Sequence, residues 1–335
     1  MYDGMFVFDN VIHMCDNTPH NLTPRSNNLL QPIMGAAKLF SVPGKYDYNE
    51  KFDRSGMTVE EAHRRIFDES DTDMVVAQAV PIFGWFKDGF APAELNASFA
   101  AAYPEKVLFC GAVDPLYHGL SAVHEMERQV AELNARTFKF YQTQLGSTWR
   151  CDDRKLAYPL YEKCLELGIN HVQFHKGLPF GPDQPLEPLR CHDLEQPALD
   201  FPELNFVIHH LGDPYIDETA NIAARHQNIS MALSSWINMH PIWPMESFHR
   251  LGKLLFWVGA DRLYYGSEAF VWPNVQQYIE LLASLEMPEE LQEGYGYPAL
   301  TREIKEKIFG LNYARLMGVD VEAKKAELAK KKEAA

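Results

Sequence analysis

Cysteine is scarce and scattered in this chain. Cys15, Cys110, Cys151, Cys164 and Cys191 are odd in number and form no CxxC pair. That excludes a disulfide framework and a zinc–thiolate site, and suits reduced thiols in the cytoplasm. Basic charge is also short: 31 Lys and Arg stand against 46 Asp and Glu, a net charge of −15. Such an excess of acid argues against nucleic acid or an anionic membrane as partner. No apolar run reaches the roughly 20 residues of a membrane span. The opening MYDGMFVFDN carries acids where a signal peptide is basic. The expectation is a soluble cytoplasmic protein with no nucleic-acid or membrane partner.

What is present is ordinary for a globular α/β protein: 335 residues, 46% hydrophobic and 23% charged, enough for one large domain. The stretch FPELNFVIHHLGD, 201–213, is an apolar run of strand length ending on two histidines and a glycine. Runs of this kind, apolar throughout, read as strands buried on both faces. Others fall at 5–13, 73–80, 106–113, 137–141, 169–175, 228–233 and 262–266, and nearly all are followed by a helical pattern. Eight such alternations predict a (β/α)8 barrel, with a doubly wound open sheet as the alternative. Residues 16–57, carrying Pro19, Pro24, Pro32 and Pro43, read as a long insertion after the first strand, too proline-rich for a helix. A loop of that length serves as a lid, a binding loop or an oligomer contact. A single domain is expected over 1–320, followed by a charged, solvated or fraying helical tail at 321–335.

In such a barrel the carboxyl ends of the strands converge on one pocket. The polar residues there are His13, Lys139, His175, His210 and Glu268. Two imidazoles and a carboxylate from separate strands suit zinc, manganese or iron, and leave room for water. The remaining histidine is then free to move a proton. Each of these residues also has a plainer reading as a capping, paired or hydrogen-bonded group. Strand alternation lets only one of His209 and His210 face the pocket, and His210 is expected to be that one. His118 and His240 fall at the rim. Tyr141, Trp236, Trp243, Phe270 and Trp272 fall in strand-end loops and suit an aromatic or unsaturated substrate.

The segments YPEKVLFCGAVDP (103–115), CDDRKLAYPLYEKCLELGINHVQFHKG (151–177), FPELNFVIHHLGDP (201–214), RLYYGSEAF (262–270) and IFGLNYARLMGV (308–319) together resemble the amidohydrolase superfamily, in the branch related to aminocarboxymuconate-semialdehyde decarboxylase. The resemblance implies a distorted barrel, one divalent metal ion at its mouth, zinc first with manganese or iron as alternatives, and a homodimer. It places metal ligands on His13, His175 and Glu268, and proton transfer on His210 beside Glu268. Two positions depart from the pattern. Val11 stands where the first-strand His-x-His motif has its first ligand, and Glu268 stands where the pattern has aspartate. Asp9 shares a strand face with Val11 but lies deeper. The implied activity is a metal-dependent hydrolase of a small organic substrate. A non-oxidative decarboxylase is the alternative, and a metal-free hydrolase or binding protein a further one. Lys139, Trp236 and His240 are the candidate substrate-binding residues. Lys139, Arg54 and Arg225 are the cations available to a substrate carboxylate.

Overall fold

The computed structural model describes residues 1–40, 56–272 and 274–334. Eight parallel strands form one sheet in sequence order: β1 (Phe8–Ile12), β2 (Met74–Gln78), β3 (Val107–Gly111), β4 (Ala135–Tyr141), β5 (His171–His175), β6 (Asn205–His209), β7 (Ile229–Ala232) and β8 (Leu263–Tyr264). The ends of the sheet meet. Asn10 N donates to Tyr265 O at 3.0 Å, and Ile12 bridges to Ala269 in parallel. The chain is therefore a nearly closed (β/α)8 barrel, as the alternation predicts, and not an open sheet.

Period-two alternation sorts each strand into two faces. Phe138, Phe140, Val172, Phe174, Phe206 and Ile208 turn outward and join the main core under the helices. Their neighbours Phe8, Val76, Cys110 and Val207 fill the barrel interior, with Tyr313 from the C-terminal helices closing it from below. Above that apolar plug the interior becomes polar. Gln78, Lys139, Gln173 and His209, each fully buried, form a layer directly beneath the carboxyl ends of the strands.

Three local expectations are corrected. A helix, Ser26–Phe40, runs through the proline-rich insertion with Pro32 inside it. An interior proline costs a helix about 3 kcal/mol. Leu29 and Leu30 offset this by burying against Trp85 and Phe86, at about 1.5–3 kcal/mol for each fully buried side chain. The sequence also reads as helical over 152–167 despite Pro159; the helix begins only at Tyr158, which puts that proline in its first turn, where its missing N–H is not needed. The tail helix Val321–Ala334 is not wholly solvated, since Val321 and Leu328 pack on the lower core.

Candidate active site

Where β1, β5, β6 and β8 end, the structure brings His13, His175, His210 and Glu268 into one cavity of about 210 Å³. Tyr141, Phe90, Val80 and Phe180 form its walls, and Pro32, Ile33 and Ala36 reach it from the helix of the insertion. The insertion therefore roofs the site. Its remaining residues, 41–55, lie outside those described.

Glu268 is the centre of the polar floor. Its Oε1 is 3.2 Å from His13 Nε2, and its Oε2 is 4.0 Å from His210 Nδ1 with no hydrogen-bond partner among the described residues. Burial alone would raise this carboxyl; its interactions with His210, the Lys139 ammonium and His13 outweigh that and hold Glu268 well below the usual carboxylate range. His13 is oriented by Gln78 O, 2.8 Å from its Nδ1. His175 donates from Nε2 to Leu178 O at 3.0 Å, and its Nδ1 lies 3.0 Å from His210 Nε2. Burial pushes the His210 imidazole down to about 4 and His175 well below its ordinary value, so both stay neutral near pH 7. Tyr141 stacks on His175 with 5.3 Å between ring centroids.

Of the pair only His210 lines the cavity, but His209 does not turn away from the barrel interior as strand alternation implies. On β6 the inward positions are Val207 and His209. His209 Nδ1 lies 3.2 Å from Ser234 Oγ and 3.3 Å from Lys139 Nζ, and its Nε2 lies 2.7 Å from Gln173 Oε1. The strand stops there, and His210 takes a left-handed conformation with φ of 58°. This turn breaks the alternation, so both imidazoles lie near Glu268, His210 in the cavity wall and His209 below the floor. Ligand atoms of His209, His210 and Glu268 lie within 4.8 Å of one another. Glu268 (φ 57°), Ser235 (62°) and Leu178 (39°), all lining the cavity, are left-handed as well. Non-glycine residues adopt that region at a cost, and such strain gathers at functional sites.

Other sequence candidates lie elsewhere. Lys139 is fully buried beneath the floor against His209 and does not line the cavity; burial lowers its ammonium to about 8. Trp236 is a core residue whose Nε1 donates to Ser247 O at 2.9 Å. His240 packs edge-on against Phe248, outside the cavity lining. Trp243 is exposed and Phe270 is buried, while Trp272 does line the cavity. His118 packs edge-on against Phe83. Arg225 pairs with Glu195 on the surface, and Arg54 lies outside the described residues. Asp9 does not stand in for Val11. Its Oδ1 accepts from Ser267 N at 2.9 Å and Val11 N at 3.1 Å, tying β1 to the turn that carries Glu268. Ser234, Gln173 and the roof residues carried no sequence signal, because small and amide side chains between apolar residues look like any strand end.

Among the described residues no helix is long and apolar enough to cross a membrane. No curated protein matches the sequence. Solved structures do match, at identities that speak to the fold alone. An uncharacterised TIM-barrel protein of Bordetella bronchiseptica is 19% identical, covering 94% of this chain and 99% of that one, with a TM-score of 0.67. A 5-carboxyvanillate decarboxylase of Novosphingobium aromaticivorans, complexed with manganese and a nitrobenzoic acid, is 12% identical over 95% and 97% of the two chains, with a TM-score of 0.60. A probable 2-pyrone-4,6-dicarboxylic acid hydrolase of Acinetobacter baumannii with bound citric acid is 12% identical over 91% and 99%, with a TM-score of 0.55. The amidohydrolase family model matches residues 56–319, and with the barrel and its polar mouth in place, the chain belongs to the amidohydrolase family.

Proposed function

We propose that this protein is a hydrolase that adds water to a small, neutral, unsaturated or aromatic carbonyl compound such as a lactone or amide, with a divalent ion assisting. The observation that carries the reading is the charge of the cavity. Among the described residues of its lining the only Lys, Arg, Asp or Glu is Glu268, and it is held ionised with one oxygen free of hydrogen bonds. With no Lys or Arg among the described lining residues to pair with a substrate carboxylate, a neutral ester or amide suits the cavity better than a substrate anion.

The donor set fits an ion. The imidazoles of His209 and His210 and the Glu268 carboxylate converge within 4.8 Å, and Glu268 Oε2 has no hydrogen-bond partner among the described residues. This chemistry suits zinc, manganese or iron. The resemblance gives the ion to His13, His175 and Glu268. When bound, the ion supplies Lewis-acid polarisation of a carbonyl and lowers the pKa of water. The chain does the rest. Glu268 accepts the proton of the attacking water. His13, whose Nε2 is 3.2 Å from Glu268 Oε1, is placed to carry that proton onward. Phe90, Tyr141, Phe180 and Ile33 hold the substrate's apolar body and exclude bulk water.

Decarboxylation of an aromatic acid is the second reading. Lys139, a buried cation under the floor, supports it, since it offsets part of the repulsion between Glu268 and a substrate carboxylate. Incubation with panels of lactones, amides and carboxylated aromatics separates the two. Turnover of the lactones or amides without carbon dioxide release is expected. Carbon dioxide release from the aromatic acids, with the lactones and amides untouched, would replace the first reading with the second. The thiol inventory and the resemblance add a cytoplasmic homodimer to the proposal, which sedimentation and cell fractionation would check.

A further inference from the structure

We infer that the ion is held by Nδ1 of His209, Nδ1 of His210 and the carboxylate of Glu268, with His175 outside the ligand set. The inference rests on the metal-assisted reading above and names the ligands for it. Its argument is the placement of protons. A neutral imidazole has one N–H and one lone pair, and only the lone pair binds a metal.

Two backbone carbonyls, which can only accept, anchor the whole network. Leu178 O lies 3.0 Å from His175 Nε2, so that nitrogen carries the proton and Nδ1 keeps the lone pair. His210 Nε2, 3.0 Å from that Nδ1, must donate to it, which leaves the His210 lone pair on Nδ1. The second anchor is Asn10 O, which accepts from Gln78 Nε2 at 2.6 Å. The same amide donates to Gln173 Oε1 at 3.1 Å, fixing that atom as oxygen. His209 Nε2, 2.7 Å from it, therefore carries a proton, and the His209 lone pair is also on Nδ1.

Both lone pairs point to one place. Each Nδ1 is 3.2 Å from Ser234 Oγ, whose single hydrogen satisfies only one of them. The other accepts from the Lys139 ammonium at 3.3 Å, a hydrogen bond that the ion displaces on binding. Glu268 Oε2, without a hydrogen-bond partner among the described residues, closes the set within 4.8 Å. His175 has no lone pair left, since one nitrogen donates to Leu178 O and the other accepts from His210. It becomes the group that orients a ligand, as partners of metal-binding histidines commonly do. His13 donates to Gln78 O from Nδ1, which leaves its Nε2, 3.2 Å from Glu268 Oε1, to receive the proton that Glu268 takes.

Val11 and Glu268 then answer to one change. An imidazole is missing from β1, one is added from β6, and the longer acid reaches from the end of β8 to meet it.

Cadmium-113 tests the assignment on the full chain, stripped with chelator, reloaded and labelled with nitrogen-15 histidine. One-bond cadmium–nitrogen coupling is expected at two Nδ1 atoms, with one signal lost in His209→Asn and the other in His210→Asn. Zinc affinity should fall by more than about tenfold in His209→Asn. It should fall by less in His175→Asn, whose amide oxygen still accepts from His210. The wild-type coupling pattern needs no variant to fold. Coupling to Nε2 of His13 and to a nitrogen of His175 would overturn the ligand assignment and leave the metal-assisted reading standing. Failure of the wild-type chain to bind cadmium or zinc would overturn both.

Discussion

Glu268 and Lys176 show two fates for a buried charge. Glu268 is held ionised by the groups around it, yet its Oε2 has no hydrogen-bond partner among the described residues, an arrangement that has use only if a proton, water or ion arrives. Replacing it with Gln keeps the shape and removes the charge. Activity (kcat/KM) of Glu268→Gln should fall by about 10²–10⁴-fold, the usual weight of a general base; less than a tenfold loss would remove Glu268 from the chemistry. Lys176 and Asp193 are both buried and form a 2.7 Å ion pair, with Pro188 O accepting a second bond from Lys176 at 3.1 Å and Asp193 Oδ2 accepting from Cys151 N at 2.9 Å. Every charge there is matched within the protein, so the pair is structural. Lys176→Met strands the Asp193 carboxylate and should cost about 3–5 kcal/mol in urea unfolding, while Lys176→Met with Asp193→Leu should recover much of it.

At the scale of elements, the sequence revealed the barrel because each strand is an apolar run between helical patterns, and strand ends such as His13, His175 and Glu268 follow from counting. The phase at a strand's last residue is less visible. His209 and His210 differ in facing only if the strand continues through both, and the left-handed φ of His210 depends on contacts no local pattern records. The helix Ser26–Phe40 escaped for a related reason: Pro32 argues against a helix locally, and the burial of Leu29 and Leu30 that overrides it is tertiary. That helix is held over the cavity by Asn28, whose Nδ2 donates to Asp183 Oδ2 at 2.7 Å, and by close passage over Gly181. A Cβ at Gly181 would sit 2.6 Å from Asn28 O, a backbone atom that cannot swing aside. Gly181→Ala should therefore displace the roof carrying Ile33 and Ala36. Substrate KM should rise severalfold with metal content unchanged, and an unaltered KM would show that the roof does not touch the substrate.

For the molecule as a whole, the acid response follows from how many histidines the barrel keeps neutral. Burial lowers His171 to about 3, His210 and His240 to about 4, and His175 and His209 well below their ordinary value. Carboxyls oppose them, most strongly Asp9, raised to about 7, and Asp114, raised to about 6, also chiefly by burial, with Asp73 and Asp213 shifted the same way. The signs differ. A histidine with a lowered folded pKa contributes stability above its unfolded value near 6.5 and loses it as pH falls, because the unfolded chain takes up the proton. A carboxyl with a raised folded pKa is most favourable below its unfolded value near 4, and its contribution declines as pH rises toward the folded value. Between about pH 6 and 5 the five histidines gain protons on unfolding while Asp9 and Asp114, the most strongly raised carboxyls, release theirs, a net uptake near three. At about 1.4 kcal/mol per proton and pH unit, the metal-free chain should lose roughly 4 kcal/mol for each unit of acidification in that window. Urea unfolding at pH 6.5, 6.0, 5.5 and 5.0 measures the slope. His171→Gln, at the opposite pole from the site, should reduce it by about 1.4 kcal/mol per unit, and a profile that stays flat in both proteins would mean these imidazoles are protonated in the folded barrel.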